Sequence, residues 1–148
     1  MSAKILIVDD DEAIVDVIGL LLESEGFETL TASNGKEALE VAKNQRPDGI
    51  ILDVMMPKMS GYMVASMLQK EESLKHIPVL LLTAAAPMVG SITLHSPTKF
   101  RLAKPFRPQD LVRMVSKMIA DAKVSTSSTA GAAETSNRLP AADEVQSL

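Results

Sequence analysis

The chain has 148 residues, enough for one domain with a sizeable core. It is 46% hydrophobic and 23% charged, as ordinary globular proteins are, and its net charge of −4 argues against a nucleic-acid-binding surface, which carries a basic excess. The absence of cysteine excludes disulfides and thiolate metal sites. No apolar run approaches the roughly 18 residues of a membrane span, so neither a membrane segment nor a signal peptide is expected, and a cytoplasmic location is.

Lys4-Ile5-Leu6-Ile7-Val8 is a short β-branched run that stops at acids and predicts a first strand. From Ala13 to Glu25, the residues Ile14, Val15, Ile18, Leu21 and Leu22 recur at helical spacing, with Asp11 placed to cap the helix and Gly26 to end it. Phe27 to Ala32 predicts a second strand. Asn34-Gly35-Lys36-Glu37 resembles a capping box and opens a helix to about Asn44. Arg46-Pro47-Asp48 turns the chain into a third strand, Gly49-Ile50-Ile51-Leu52-Asp53, apolar until its last residue. A loop, 54–60, leads to a helix from about Gly61 to Lys70. Pro78 to Thr83 predicts a fourth strand and Phe100 to Lys104 a fifth. Pro108 suits the first turn of a last helix, with Asp110 beside it and a buried stripe of Leu111, Val112, Val115, Met118 and Ile119.

Composition shifts near Lys123. The segment that follows is rich in Ser, Thr, Ala and Gly, has no aromatic residue, and offers too little apolar surface to offset its ordering entropy. The expected organisation is one domain over residues 1–122 and a flexible tail or linker over 123–148.

Strands alternating with helices imply an α/β fold: a five-stranded parallel sheet, doubly wound and covered on both faces, with the apolar third and fourth strands central. Ligands bind such sheets beyond the carboxyl ends of the strands. Those ends carry Asp9 and Asp10, Asp53, Thr83 and Lys104. Clustered carboxylates repel unless a cation is present, and hard oxygen donors in this number suit Mg²⁺. A carboxylate beside Mg²⁺ and an ammonium is a plausible phosphoryl acceptor. Singly, each residue has a plainer explanation: a helix cap, a turn residue, a solvated charge. Their joint occurrence, each at a strand end, points to a site.

Ile5-Leu6-Ile7-Val8-Asp9-Asp10-Asp11, Leu52-Asp53-Val54-Met55-Met56-Pro57, Met59-Ser60-Gly61-Tyr62, Leu82-Thr83-Ala84 and Lys104-Pro105-Phe106 resemble the signature segments of bacterial response-regulator receiver domains. The resemblance covers residues 4–122. It implies a flavodoxin-like sheet of order 2-1-3-4-5, with Asp53 as phosphoacceptor for a sensor histidine kinase or histidine phosphotransfer protein. It implies Mg²⁺ held by Asp9, Asp10, Asp53 and the backbone carbonyl of Met55, with Thr83 as the switch hydroxyl and Lys104 as the charge-stabilising lysine. Lys104-Pro105 would be a cis peptide. The domain would be a signalling module, not an enzyme acting on others. It would be a monomer or weak dimer whose output goes to a downstream protein, with no nucleic acid bound through this chain.

Two departures stand out. Three residues before Lys104 the family pattern has an aromatic side chain; here Arg101 stands there, and Phe100 is one residue off, which in a regular strand puts it on the other face. Arg101 is expected to be a surface residue. Residues 84–97 contain Gly90, Pro87 and Pro97, so the fourth helix of the pattern is expected to be short, displaced or mobile. His76 and His95 lack metal-ligand spacing and are expected at the surface. Tyr62, Met55 and Met56 are expected to line the loop and the core edge.

Three other functions fit less well. An aspartyl-phosphate hydrolase of the haloacid-dehalogenase type needs a second Asp two residues after the nucleophile, where Met55 stands. A receiver-like binding module that is not phosphorylated would have lost an acid or the lysine, and all are present. A nucleotide-binding enzyme would show a Gly-rich phosphate loop after the first strand, and none is there.

Overall fold

The computed structural model describes residues 2–83 and 100–132, with side chains through Lys123. The elements in chain order are β1 (Lys4–Val8), α1 (Glu12–Ser24), β2 (Glu28–Ala32), α2 (Gly35–Gln45), β3 (Gly49–Asp53), α3 (Gly61–Lys70), β4 (Val79–Thr83), β5 (Phe100–Ala103) and α4 (Pro108–Ala132). Every paired strand is parallel and the sheet order is β2-β1-β3-β4-β5. This is the flavodoxin-like order that the resemblance implies.

Helix termini follow local chemistry. The Asp11 carboxylate accepts the Ala13 N–H at 3.0 Å and caps α1. Gly26, just past the end of α1, has φ +94°, a conformation that costs glycine little. Asn34 caps α2 by accepting from Glu37 N–H at 2.8 Å. The return bond differs from a standard capping box, because Glu37 reaches Ser33 N–H instead of Asn34 N–H. Ser60 caps α3.

The sheet separates two cores. On one face Leu6, Val8, Ile50, Leu52 and Leu81 pack against Ala38 and Ala42 of α2 and Val64, Ala65 and Leu68 of α3. On the other, Ile5, Ile7, Ile51, Leu80 and Leu82 pack against Val15, Ile18 and Leu22 of α1 and Leu111, Val115, Met118 and Ile119 of α4. Each fully buried Val, Leu, Ile or Met among them contributes about 1.5–3 kcal/mol, so the central strands carry much of the fold's apolar stabilisation. Val112, expected in the α4 stripe, is only half-buried.

The last helix runs past Lys123 to Ala132, beyond the point at which the composition shifts. Extending an existing helix fixes one residue per added hydrogen bond, and no Pro stands between Lys123 and Ala132 to stop it. Residues 133–148 lie outside the described residues. So do 84–99, with the expected fourth helix of the pattern and His95.

Candidate functional site

The carboxyl ends of β1, β3, β4 and β5 bring the strand-end residues together. Asp53 ends β3 and is 4% exposed; Asp9 follows β1 and is 2% exposed; Asp10 is exposed at the rim. Buried carboxylates need partners. Lys104 Nζ lies 3.1 Å from Asp53 Oδ1 and 3.4 Å from Asp9 Oδ2. The other Asp9 oxygen, Oδ1, accepts the Asp11 N–H at 2.9 Å. The Met55 N–H sits 3.4 Å from Asp53 Oδ1, a long bond that ties the loop to the carboxylate. The Met55 side chain is 70% exposed, further into solvent than a core-edge residue, whereas Met56 is buried.

Thr83 ends β4 half-buried, and its carbonyl accepts the Lys104 N–H at 2.9 Å. That bond fixes where the lysine side chain starts. Lys104-Pro105 is cis, as the resemblance implies. In the sequence Gly61 starts a helix and belongs to the Met59-Ser60-Gly61-Tyr62 segment of the resemblance, with no role of its own. A Cβ there would overlap the Asp53 carbonyl oxygen and lie 3.0 Å from Val54 Cα. The α3 terminus can therefore sit against the end of β3 only with glycine at this position. Its position immediately after the Ser60 cap, in the loop after Asp53, was the available signal.

The electrostatics express the crowding. Burial pushes the Asp9 carboxyl above its ordinary 3.8, and the nearby Asp53 charge adds to the rise; the Asp11 N–H and Lys104 oppose it without cancelling it. Burial on its own would lower Lys104, but the hydrogen bond to Asp53 and the charges of Asp53 and Asp9 outweigh it and hold the ammonium above its ordinary 10.5.

Asp9, Asp10 and Asp53 each offer a carboxylate oxygen, and these oxygens lie within 4.8 Å of one another. All are hard oxygen donors, the set that Mg²⁺ prefers over softer metals, so the residues fit the ion the sequence suggests.

On β5 the register is regular, with Leu80 opposite Phe100, Leu81 opposite Arg101 and Leu82 opposite Leu102. Phe100 is buried in the core shared with α1 and α4. It therefore faces away from the position that Arg101 occupies, and no bulge brings it back. Arg101 is half-buried, not a plain surface arginine. His76 is exposed, as expected.

No helix among the described residues is long and apolar enough to cross a membrane. The response regulator receiver domain family matches residues 5–116. The alkaline phosphatase synthesis transcriptional regulatory protein PhoP of Bacillus subtilis is 35% identical over 87% of this chain and 53% of its own length. This chain thus spans about half the length of the curated relatives it matches. Chemotaxis protein CheY4 of Vibrio cholerae superposes with a TM-score of 0.73 at 31% identity, over 80% of this chain and 99% of that one. The receiver domain of sensor histidine kinase PA1611 from Pseudomonas aeruginosa, solved with a magnesium ion coordinated in its active site cleft, superposes with a TM-score of 0.73 at 29% identity, over 81% of this chain and 99% of that one. Sheet order, strand-end carboxylates and sequence agree: the chain belongs to the response regulator receiver domain family of two-component signalling.

Proposed function

We propose that Asp53 accepts a phosphoryl group from a phosphohistidine on a sensor histidine kinase or phosphotransfer protein. The observation that carries this reading is the position of the Asp53 carboxylate, buried between the Lys104 ammonium and the carboxylates of Asp9 and Asp10. In the transfer, an Asp53 oxygen bonds to phosphorus as the phosphorus–nitrogen bond breaks, and the donor imidazole leaves with that electron pair. Lys104, already at hydrogen-bond distance, neutralises charge on the equatorial oxygens. Thr83, at the end of the intervening strand, donates its hydroxyl to a phosphoryl oxygen once the group has arrived. Asp9, Asp10, Asp53 and the Met55 carbonyl hold Mg²⁺, which when bound supplies further neutralisation of the phosphoryl oxygens. The only reactions the domain promotes are its own phosphorylation and dephosphorylation.

Output passes to a downstream protein through contact, in the cytoplasm, with the domain acting as a monomer or weak dimer. The net charge of −4 supports a protein target over direct contact with nucleic acid.

Incubation with acetyl phosphate and Mg²⁺, followed by intact mass, tests the reading. One added phosphoryl group is expected, and none in Asp53→Asn. An unmodified wild-type protein, with no thermal response to Mg²⁺, would show a binding module that has kept the fold without the chemistry.

A further inference from the structure

The amino-terminal edge of the sheet, opposite the carboxylates, holds a cavity of about 430 Å³. Three segments meet there: the turn from α2 into β3, the loop into β4, and α4 near Lys123. The volume falls within the roughly 300–1,000 Å³ of small-molecule pockets. Its inner wall is apolar, with Ile77 and Ile119 both buried. Its rim carries Arg46, His76 and Lys123, all exposed.

The charge at this rim runs against that of the chain. With a net charge of −4, the protein nonetheless gathers two permanent cations and an imidazole around one cavity. Among the described residues neither Arg46 nor Lys123 is held in an ion pair. The lining also holds one carboxylate, Asp48, whose Oδ2 accepts the Lys4 N–H at 2.8 Å; it keeps its charge, and the two cations still outnumber it. Arg46 also has φ +49°, in the left-handed region. Gly or Asn would cap α2 there at lower cost, so the helix end does not account for an arginine. An arginine at a conformationally unfavourable position is a reason to look for what it binds.

We propose that this cavity binds a small amphipathic organic anion. Its charged group is held by Arg46 and Lys123, with His76 as a further hydrogen-bond donor, and its apolar body lies on Ile77 and Ile119. Charge-assisted hydrogen bonds fix the anion, and apolar burial supplies the rest of the affinity.

Anilinonaphthalene sulfonate, an anion on an apolar body, is the probe. Titrated into the full chain and followed by fluorescence and backbone amide shifts, it is expected to perturb the amides of residues 46, 48, 76 and 122. Arg46→Gln/Lys123→Gln should weaken binding about tenfold or more. The charge control Lys36→Gln/Lys70→Gln, and Asp53→Asn, should bind as wild type, with circular dichroism confirming that every variant is folded. Inorganic phosphate and neutral N-phenylnaphthylamine should each bind far more weakly than the probe. Perturbations elsewhere on the surface, undiminished binding by the double variant, or equal binding by either half-probe would each overturn the proposal.

Discussion

Lys104 Nζ is 3.1 Å from Asp53 Oδ1, although β3 and β5 are not neighbours in the sheet. The pair reaches across the carboxyl end of β4, where Thr83 sits, and the same ammonium lies 3.4 Å from Asp9 beyond. One cation thus joins residues from three strand ends. Removing it leaves two buried carboxylates facing each other.

Lys104→Met should therefore destabilise the protein at neutral pH without divalent ions. Breaking a fully buried pair costs about 3–5 kcal/mol, and Lys104 is partly solvated, so about 1–2 kcal/mol is expected here. Because the folded-state pKa of Lys104 is raised, its contribution is fully present below the unfolded-state value of about 10.5 and is lost as pH rises through the folded-state value. Urea denaturation from neutral to strongly alkaline pH should show the wild type converging on the variant. The rate of phosphoryl acceptance should fall on the order of 10²-fold, the cost of losing one preorganised charge stabiliser.

Asp9→Asn should do the opposite in chelator-containing buffer. The folded pKa of Asp9 is raised, chiefly by burial, so folding favours the protonated form. Its stabilising contribution is present below the ordinary value of 3.8 and is lost as pH rises through the folded value, so at pH 7 the charged side chain costs stability. Asn keeps an oxygen for the Asp11 N–H and removes that cost. The variant should melt higher than wild type at pH 7 without Mg²⁺, the gap should close toward acid pH, and the Mg²⁺-induced rise in Tm should shrink or vanish. Thermal melts at several pH values, with and without Mg²⁺, check all three.

Much of this arrangement was legible because burial and charge sit next to each other in the chain. Ile5 to Val8 and Ile50 to Leu52 are apolar runs ended by acids, which dictates central strands with carboxylates at their tips. Asp11 and Asn34 could be read as caps because capping is local chemistry. The reach of Lys104 over β4 to Asp9 could not be read from residues 95 apart. The requirement for glycine at Gly61 depends on how closely α3 approaches β3, and the sequence signals it only through the glycine's place after the Ser60 cap. The end of α4 was not legible because a polar, Ser- and Thr-rich composition argues against burial but not against helix.

Gly61→Ala should report that close approach. The added methyl meets backbone atoms of Asp53 and Val54, which cannot swing aside as a side chain can. Overpacking of this kind costs about 1–3 kcal/mol. The strain acts on the residue proposed to accept the phosphoryl group, so slower acetyl phosphate labelling should accompany a lower denaturation midpoint. Loss of stability with labelling unchanged would mean that the loop relaxes without moving Asp53.

Phe100 and Arg101 should separate cleanly despite being adjacent. Phe100 is buried among residues of β4, α1 and α4, so Phe100→Ala should cost about 3–5 kcal/mol, the usual cost of deleting a core aromatic. Arg101, next along β5, is only half-buried, and Arg101→Ala should cost less. The proposed chemistry assigns no role to either side chain, so phosphoryl acceptance by Arg101→Ala should stay near the wild-type rate. Denaturation midpoints and labelling rates for the two variants test this together. A large loss of labelling in Arg101→Ala would place the arginine in the acceptor site, and an Arg101→Ala midpoint as low as that of Phe100→Ala would show that its aliphatic stem belongs to the core.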